Sequence, residues 1–419
     1  MNFIFQLAVK NLFRHRLRTF IVILAIAVAV MVVTFARGLI TGMVQSLFEN
    51  QISFRSGHIR VIDQEYQLKE RLFSLNYTVN GFHGEGLAAM QESIEQIEGI
   101  KMTIPRIKFG AVANTEEELL PMLGWGVNPN KEIQFTKISD YITEGRMIEE
   151  GNREILVGKN LLEEMNRQIG DKITILYNNA YGSFKGFTFK IVGQIESPLP
   201  LLNNKVFYLP FQKAQQMLAM PDQATELLLI TPDYQHMDST LESLSMLFEQ
   251  EDIQQKYSYL PWDKVDNIIK MFQIGITVYN FIYVFIILLA SFVLINTMAM
   301  IINERVREIG MMSALGLRSR DILWLFFCEG SLVGVLGSFF GALAGAGITK
   351  LFSVVGINYT EAFGEASEST LMNPILYTQF DLKNIIISFL IGAVIVSITC
   401  IFPARRAARL EPVEALREI

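Results

Sequence analysis

Side chains able to do covalent or metal chemistry are few in this sequence, and their spacing builds no familiar constellation. The four histidines, His15, His58, His83 and His236, are scattered without the close pairing that a metal site needs. The two cysteines, Cys328 and Cys400, lie inside apolar runs and offer neither a zinc ribbon nor a disulfide framework. No Gly-x-x-x-x-Gly-Lys-Ser/Thr phosphate loop occurs; the nearest glycine cluster, at 341–347 before Lys350, falls in an apolar stretch. A Gly-x-Ser-x-Gly elbow and a His-Glu-x-x-His pair are also missing. Glu116, Glu117 and Glu118 form an acidic run. Cation loops need spaced carboxylates and a turning glycine, so this run reads as a solvated loop. No catalytic residue and no metal ligand are expected, and the net charge of −6 argues against a nucleic-acid partner. Energy for any transport must then come from another chain.

One stretch does carry a chemical pattern. Residues 303–317 contain Glu304, Arg305, Arg307 and Glu308 around Ile309, Met312 and Leu315, with Gly310 inside and Gly316 at the end. This spacing predicts a short amphipathic helix stopped by glycine. Such a helix could be a rigid lever seated in a partner's groove, or an interfacial helix lying on lipid headgroups.

The elements around it are mostly membrane spans. Of 419 residues, 51% are hydrophobic and only 19% charged, and the apolar residues are concentrated. Four stretches reach the roughly 20 apolar residues that cross a bilayer: 20–36, 274–302, 322–348 and 385–402. The first resembles a signal peptide in its basic flank and alternating alanines, but its apolar run continues past them, so it is expected to stay as an anchor. Basic residues mark the inner side. Lys10, Arg14, Arg16 and Arg18 precede span one; Arg305, Arg307, Arg318 and Arg320 join spans two and three; Arg405, Arg406, Arg409 and Arg417 follow span four. The connection between spans three and four carries Glu361, Glu365, Glu368 and Asp381 and no Lys or Arg. Both termini therefore lie inside and residues 45–270 outside.

That outer segment alternates strands with helices and is expected to be α+β. Strands are predicted near 58–62, 104–113, 155–157, 172–177, 187–192 and 226–230, and helices near 86–97, 159–167 and 241–248. The expected plan is a split βαβ part, about 45–105 and 221–265, with a β-rich part inserted at about 106–220. The stretch 178–186 reads as a hairpin tip. Within the membrane, Gly330, Gly334, Gly337, Gly341 and Gly345 line span three and favour close helix packing, with span four the expected neighbour. Glu329 lies roughly 10 Å inside span three at 1.5 Å per residue. An acid there reads as a buried, hydrogen-bonded group partnered by an N-terminal arginine or Asn296, as a proton relay, or as a side chain reaching the headgroups.

The 303–317 stretch resembles the loop after the second span of the MacB/FtsX-like ABC-transporter permeases, matching at Glu304, Arg305, Glu308, Ile309, Gly310, Ala314, Leu315 and Gly316. The ending Pro403-Ala404-Arg405-Arg406-Ala407-Ala408-Arg409-Leu410-Glu411-Pro412-Val413-Glu414-Ala415-Leu416-Arg417 and the opening from Ala8 to Thr19 are similar to that family too. The resemblance implies four transmembrane helices, one then three, a large periplasmic domain and a bacterial inner-membrane location. It also implies two copies of a separate ABC ATPase subunit that hold ATP and magnesium and dock on residues 303–321, and a second permease chain, identical or homologous. No cofactor is expected on this chain itself.

Residues 38–43 and 56–61 resemble the lipoprotein-releasing LolC/LolE-type members, which implies a lipoprotein substrate and membrane lipids at the site. The acyl chains would sit between Met31, Phe35, Leu39 and Met43 of span one and Phe272, Ile276, Tyr279 and Tyr283 of span two. Met and aromatic side chains suit irregular apolar ligands, although each of these could also pack on lipid or on the partner permease. Arg37 could meet a headgroup phosphate or snorkel to the interface. A periplasmic carrier would need a proline-bearing hook, which has no counterpart at 178–186. Other functions implied by the family are export of peptides, drugs or toxins and regulation of cell-wall hydrolases, the latter usually with a smaller outer domain.

Overall fold

The computed structural model describes residues 2–14, 16–114, 119–265, 267–359 and 371–410. The acidic run at 116–118, the loop acids Glu361, Glu365 and Glu368, and the tail from Glu411 lie outside the described residues. Two compact units emerge: a membrane unit of Met1–Val44, Phe272–Ile357 and Leu376–Ile419, and an outer unit of Gln45–Met271 with Asn358–Ile375.

Among the described residues of the membrane unit, four helices are long and apolar enough to cross a bilayer, one before the outer unit and three after it. This is the multi-pass inner-membrane topology that hydropathy predicts. The helix of span one runs Arg16–Gln51 and that of span two Asn267–Glu304; spans three and four are Ser319–Val355 and Leu382–Ala408. Spans one and two overrun their apolar stretches because helix formation needs no lipid. An N-terminal helix, Asn2–Arg14, precedes span one, and a loop helix, Val306–Ala314, follows span two.

The outer unit is mixed α+β, and its described residues form a ten-stranded sheet: β1 (Ile59–Asp63), β2 (Met102–Asn114), β3 (Leu119–Val127), β4 (Ile142–Gly145), β5 (Glu154–Gly158), β6 (Lys172–Asn178), β7 (Phe184–Ile195), β8 (Val206–Pro210), β9 (Glu226–Ile230) and β10 (Tyr257–Pro261). Their order is β10-β1-β9-β2-β3-β8-β5-β7-β4, with β6 bridging β2 and β7. The pairings β2–β3, β3–β8, β8–β5, β5–β7, β7–β6 and β6–β2 therefore close a six-stranded ring. β2 belongs to both halves: Met102–Arg106 pair with β9, and Ala111–Ala113 pair with β6. It runs unbroken across residues 105–106, where the sequence reading set its boundary.

Alternation along the strands sorts two faces. Ile59, Val61, Ile107, Phe109, Leu227 and Leu229 share one core with Met90 and Ile94 of the Leu87–Glu95 helix and Leu244 and Phe248 of the Asp238–Gln250 helix. The opposite face carries buried charge. Arg60 Nε donates to Glu226 Oε2 at 2.8 Å, Lys108 Nζ lies 2.7 Å from Glu226 Oε1, and Arg60 also donates to Glu70 at 3.0 Å. Burial alone would raise the Glu226 carboxyl, but Arg60, Lys108 and Arg106 outweigh it and hold it at about 2, against 4.5 unperturbed. Burial pushes Lys108 down to about 8, against the pull of Glu226.

A carboxyl with a depressed folded pKa adds stability that is full above its unfolded value and is lost as pH falls through the folded one. Glu226→Gln is therefore expected to lower the melting temperature most above pH 4.5, with the gap closing toward pH 2. Melting curves of full-length protein across that range test this; a gap independent of pH would refute it.

Candidate functional site

The loop helix starts after a kink at Arg305 and stops at Gly316, whose φ of +98° suits glycine. Ile309 and Gly310 are buried, and Met312 packs on the membrane core. Leu315, expected on this apolar face, is instead 84% exposed, with Ala314 and Gly316 also exposed. The backbone turns left-handed at Gly316, so Leu317 takes the inward place that helical spacing assigned to Leu315.

Two acids of the loop, Glu304 and Glu308, are paired within the chain. Both arms of the Arg14 guanidinium donate to Glu308, at 3.0 and 2.8 Å, and Arg18 donates to Glu304 at 2.6 Å. Arg305 is only 5% exposed, and Glu329, 3% exposed, lies in its field. Asn11 of the N-terminal helix donates to Glu329 at 3.4 Å, the place the sequence reading gave to an N-terminal arginine or Asn296.

Toward the outer end of spans one and two, Met31, Phe35, Leu39, Met43, Phe272, Ile276 and Tyr279 are half-buried and Tyr283 is buried. Phe35 stacks against Phe352 of span three, ring centroids 5.5 Å apart. Tyr279 donates its hydroxyl to the Val33 carbonyl at 3.0 Å, and Tyr283 donates to the Ser388 carbonyl at 3.3 Å. Both thus find the partner that a buried tyrosine needs, and Tyr279 ties span two to span one. Arg37 donates to Asn384 of span four at 3.1 Å. An apolar groove of about 420 Å³ lies elsewhere, on spans three and four, lined by Phe327, Val335, Phe389 and Ile398 among others.

The span-three glycines divide between two neighbours. A methyl group at Gly330 or Gly334 would press on Cys400 or Val396 of span four. At Gly337, Gly341 and Gly345 it would meet Ile26, the Ala27 carbonyl and Thr34 of span one. Span three therefore packs closely on both, against side chains of span four and against side chains and carbonyls of span one.

Among the described residues, no group of three or more His, Cys, Asp or Glu could hold a metal. The pairing of Arg14 and Arg18 with Glu308 and Glu304 is not among the sequence expectations, which place the N-terminal arginines on the inner side and offer one of them to Glu329. The available signal was the shared four-residue spacing on two helical segments.

Two family models match the chain. The MacB-like periplasmic core domain covers residues 19–246, and the FtsX-like permease C-terminal region covers 280–412. Among curated relatives, the lipoprotein-releasing system transmembrane protein LolC of Xylella fastidiosa is 23% identical over 336 residues, 76% of this chain and 79% of that protein. LolE of Haemophilus influenzae is 24% identical over 349 residues, 80% of each. Among solved structures, the periplasmic region of MacB from Actinobacillus actinomycetemcomitans aligns with a TM-score of 0.35 and 11% identity, covering 51% of this chain and 94% of that one. With one model spanning more than half its length and a second covering the following spans, this chain belongs to the MacB/FtsX-like family of ABC-transporter permeases.

Proposed function

We propose that this permease extracts lipoproteins from the outer leaflet of the inner membrane for transfer onward, driven by ATP hydrolysis on a separate subunit. The observation supporting this reading is the extent of similarity to LolC and LolE, about four-fifths of the chain. Two ATPase subunits dock on the loop helix, whose exposed side presents Met311 and Leu315. A second permease chain covers span two, where Ile274, Val278, Phe281, Phe285, Leu288 and Phe292 are exposed at alternating steps of four and three, the spacing of a helix seam. Acyl chains enter at the outer half of spans one and two, against Met31, Phe35, Leu39, Met43, Phe272 and Ile276. The hydroxyls of Tyr279 and Tyr283 are already engaged, so these two close the cavity's inner side.

Photo-crosslinkers placed along the spans of the assembled transporter test both substrate and site. Adducts to triacylated lipoprotein are expected at Phe35, Leu39, Met43, Phe272 and Ile276, and none at Gly334 or Gly341. Adducts confined to span three, or export of a peptide or drug with no lipoprotein adduct, would overturn the reading in favour of a MacB-like exporter. The isolated permease is expected to turn over no ATP and the complex to do so. Turnover by rigorously purified permease alone would contradict the division of labour.

A further inference from the structure

The carboxylates of Glu304 and Glu308 look like handles for a partner in the sequence, yet arginines of the same chain occupy them. Arg14 and Arg18 stand four residues apart, as do Glu304 and Glu308, and the order is crossed: Arg14 meets Glu308, and Arg18 meets Glu304. The two ion pairs are thus rungs between antiparallel segments. Each segment changes element between its rungs. The N-terminal helix ends at Arg14 and span one starts at Arg16; span two ends at Glu304 and the loop helix starts at Val306. One rung therefore joins the N-terminal helix to the loop helix, and the other joins the bases of spans one and two. The first is bidentate, which fixes orientation as well as distance. Beneath the rungs, Arg305 turns inward at the kink and Asn11 holds Glu329 of span three.

We infer that this ladder is a latch that stays closed through the transport cycle and makes the N-terminal helix and the base of span one one moving body with the loop helix. Force on the loop helix then reaches span one directly as well as through span two. The inference rests on the reading of the chain as a permease driven by a separate ATPase. Exposed ion pairs add little to stability, so these are positioning residues rather than staples. Two rungs remove the rotation that a single pair would leave free.

The test uses the full-length permease reconstituted with its ATPase subunit, with substrate moved per ATP hydrolysed as the readout. Arg14→Glu and Glu308→Arg are each expected to lower that ratio roughly fivefold or more while ATP hydrolysis persists. The charge-swapped double variant should recover it, as a true pairwise interaction does in a double-mutant cycle. Bridging an Arg14→Cys/Glu308→Cys pair with a short bifunctional thiol crosslinker, which spans the gap the two long side chains fill, should leave transport running. Normal coupling in the single reversals, no recovery in the swap, or arrest by the crosslink would each overturn the latch. Failure of the wild-type complex to hydrolyse ATP would instead sink the permease reading, and the yield of that crosslink would still report whether the two segments stay together.

Discussion

Replacing Glu132 with alanine is expected to cost the outer unit about 3–5 kcal/mol, the penalty for stranding one member of a buried ion pair. Arg106 and Glu132 are both fully buried, joined by two hydrogen bonds of 3.1 and 2.7 Å. Arg106 also donates to the Phe54 and Ser53 carbonyls, each at 3.1 Å. Those carbonyls belong to the π-helical turn Ile52–Ser56 that ends the helix of span one, where backbone acceptors run out of helical partners. Without Glu132 the guanidinium stays buried without its hydrogen-bonded carboxylate, beside the Trp125 ring at 5.7 Å. That ring makes tryptophan fluorescence a direct reporter of unfolding in the full-length protein. The control is Glu196→Ala, which breaks the half-exposed Lys159–Glu196 pair of 2.9 Å and should cost less than about 1 kcal/mol. Equal losses in the two variants would mean that the buried pair carries no special weight.

The second large effect is expected in span three. A methyl group at Gly341 would stand 2.5 Å from the Ala27 carbonyl oxygen and 2.8 Å from Val30 Cβ, so span one itself would have to move. Gly341→Ala should destabilise the membrane unit by about 1–3 kcal/mol, the usual range for overpacking, and Gly341→Leu by more. Gly347, on the same helix, has nothing within 4 Å of the same built atom, so Gly347→Ala should be silent. Thermal unfolding of the two alanine variants in one detergent decides it. Matching melting temperatures would show that the seam yields freely.

How much of this was legible in the sequence depended on the range of the interaction. Spans and outer strands follow from periodicity and hydropathy, which are local. The length of span one was not: hydropathy fades after Ala36, but the helix continues to Gln51 through Gln45, Glu49 and Asn50. The closed ring of strands was hidden because β3 and β8 pair in parallel across some 80 residues, and Val206-Phe207-Tyr208-Leu209-Pro210 is buried on both faces and shows no alternation. The glycines of span three signalled close approach, and the expected neighbour, span four, meets Gly330 and Gly334; that the other three face span one was not legible, since small residues leave no trace of their neighbour's identity. The apolar face of the loop helix was legible at Ile309 and Met312 and failed at Leu315, where one left-handed residue changed the register.

The divided glycine row has a consequence for lipid. Carbon atoms in ordinary contact stand about 3.5–4.0 Å apart, and the built methyl positions at Gly330, Gly334, Gly337, Gly341 and Gly345 fall 2.5–2.8 Å from their nearest neighbour atoms. No methylene can lodge in those seams, so a hydrocarbon tail meets spans one, three and four as a sealed wall at those points. Span two is held to that wall by side chains, among them Tyr279 and Tyr283 reaching carbonyls, and side chains can change rotamer while a backbone contact cannot. For the proposed acyl-chain site, this favours entry along the flanks of span two over entry at the glycine seams.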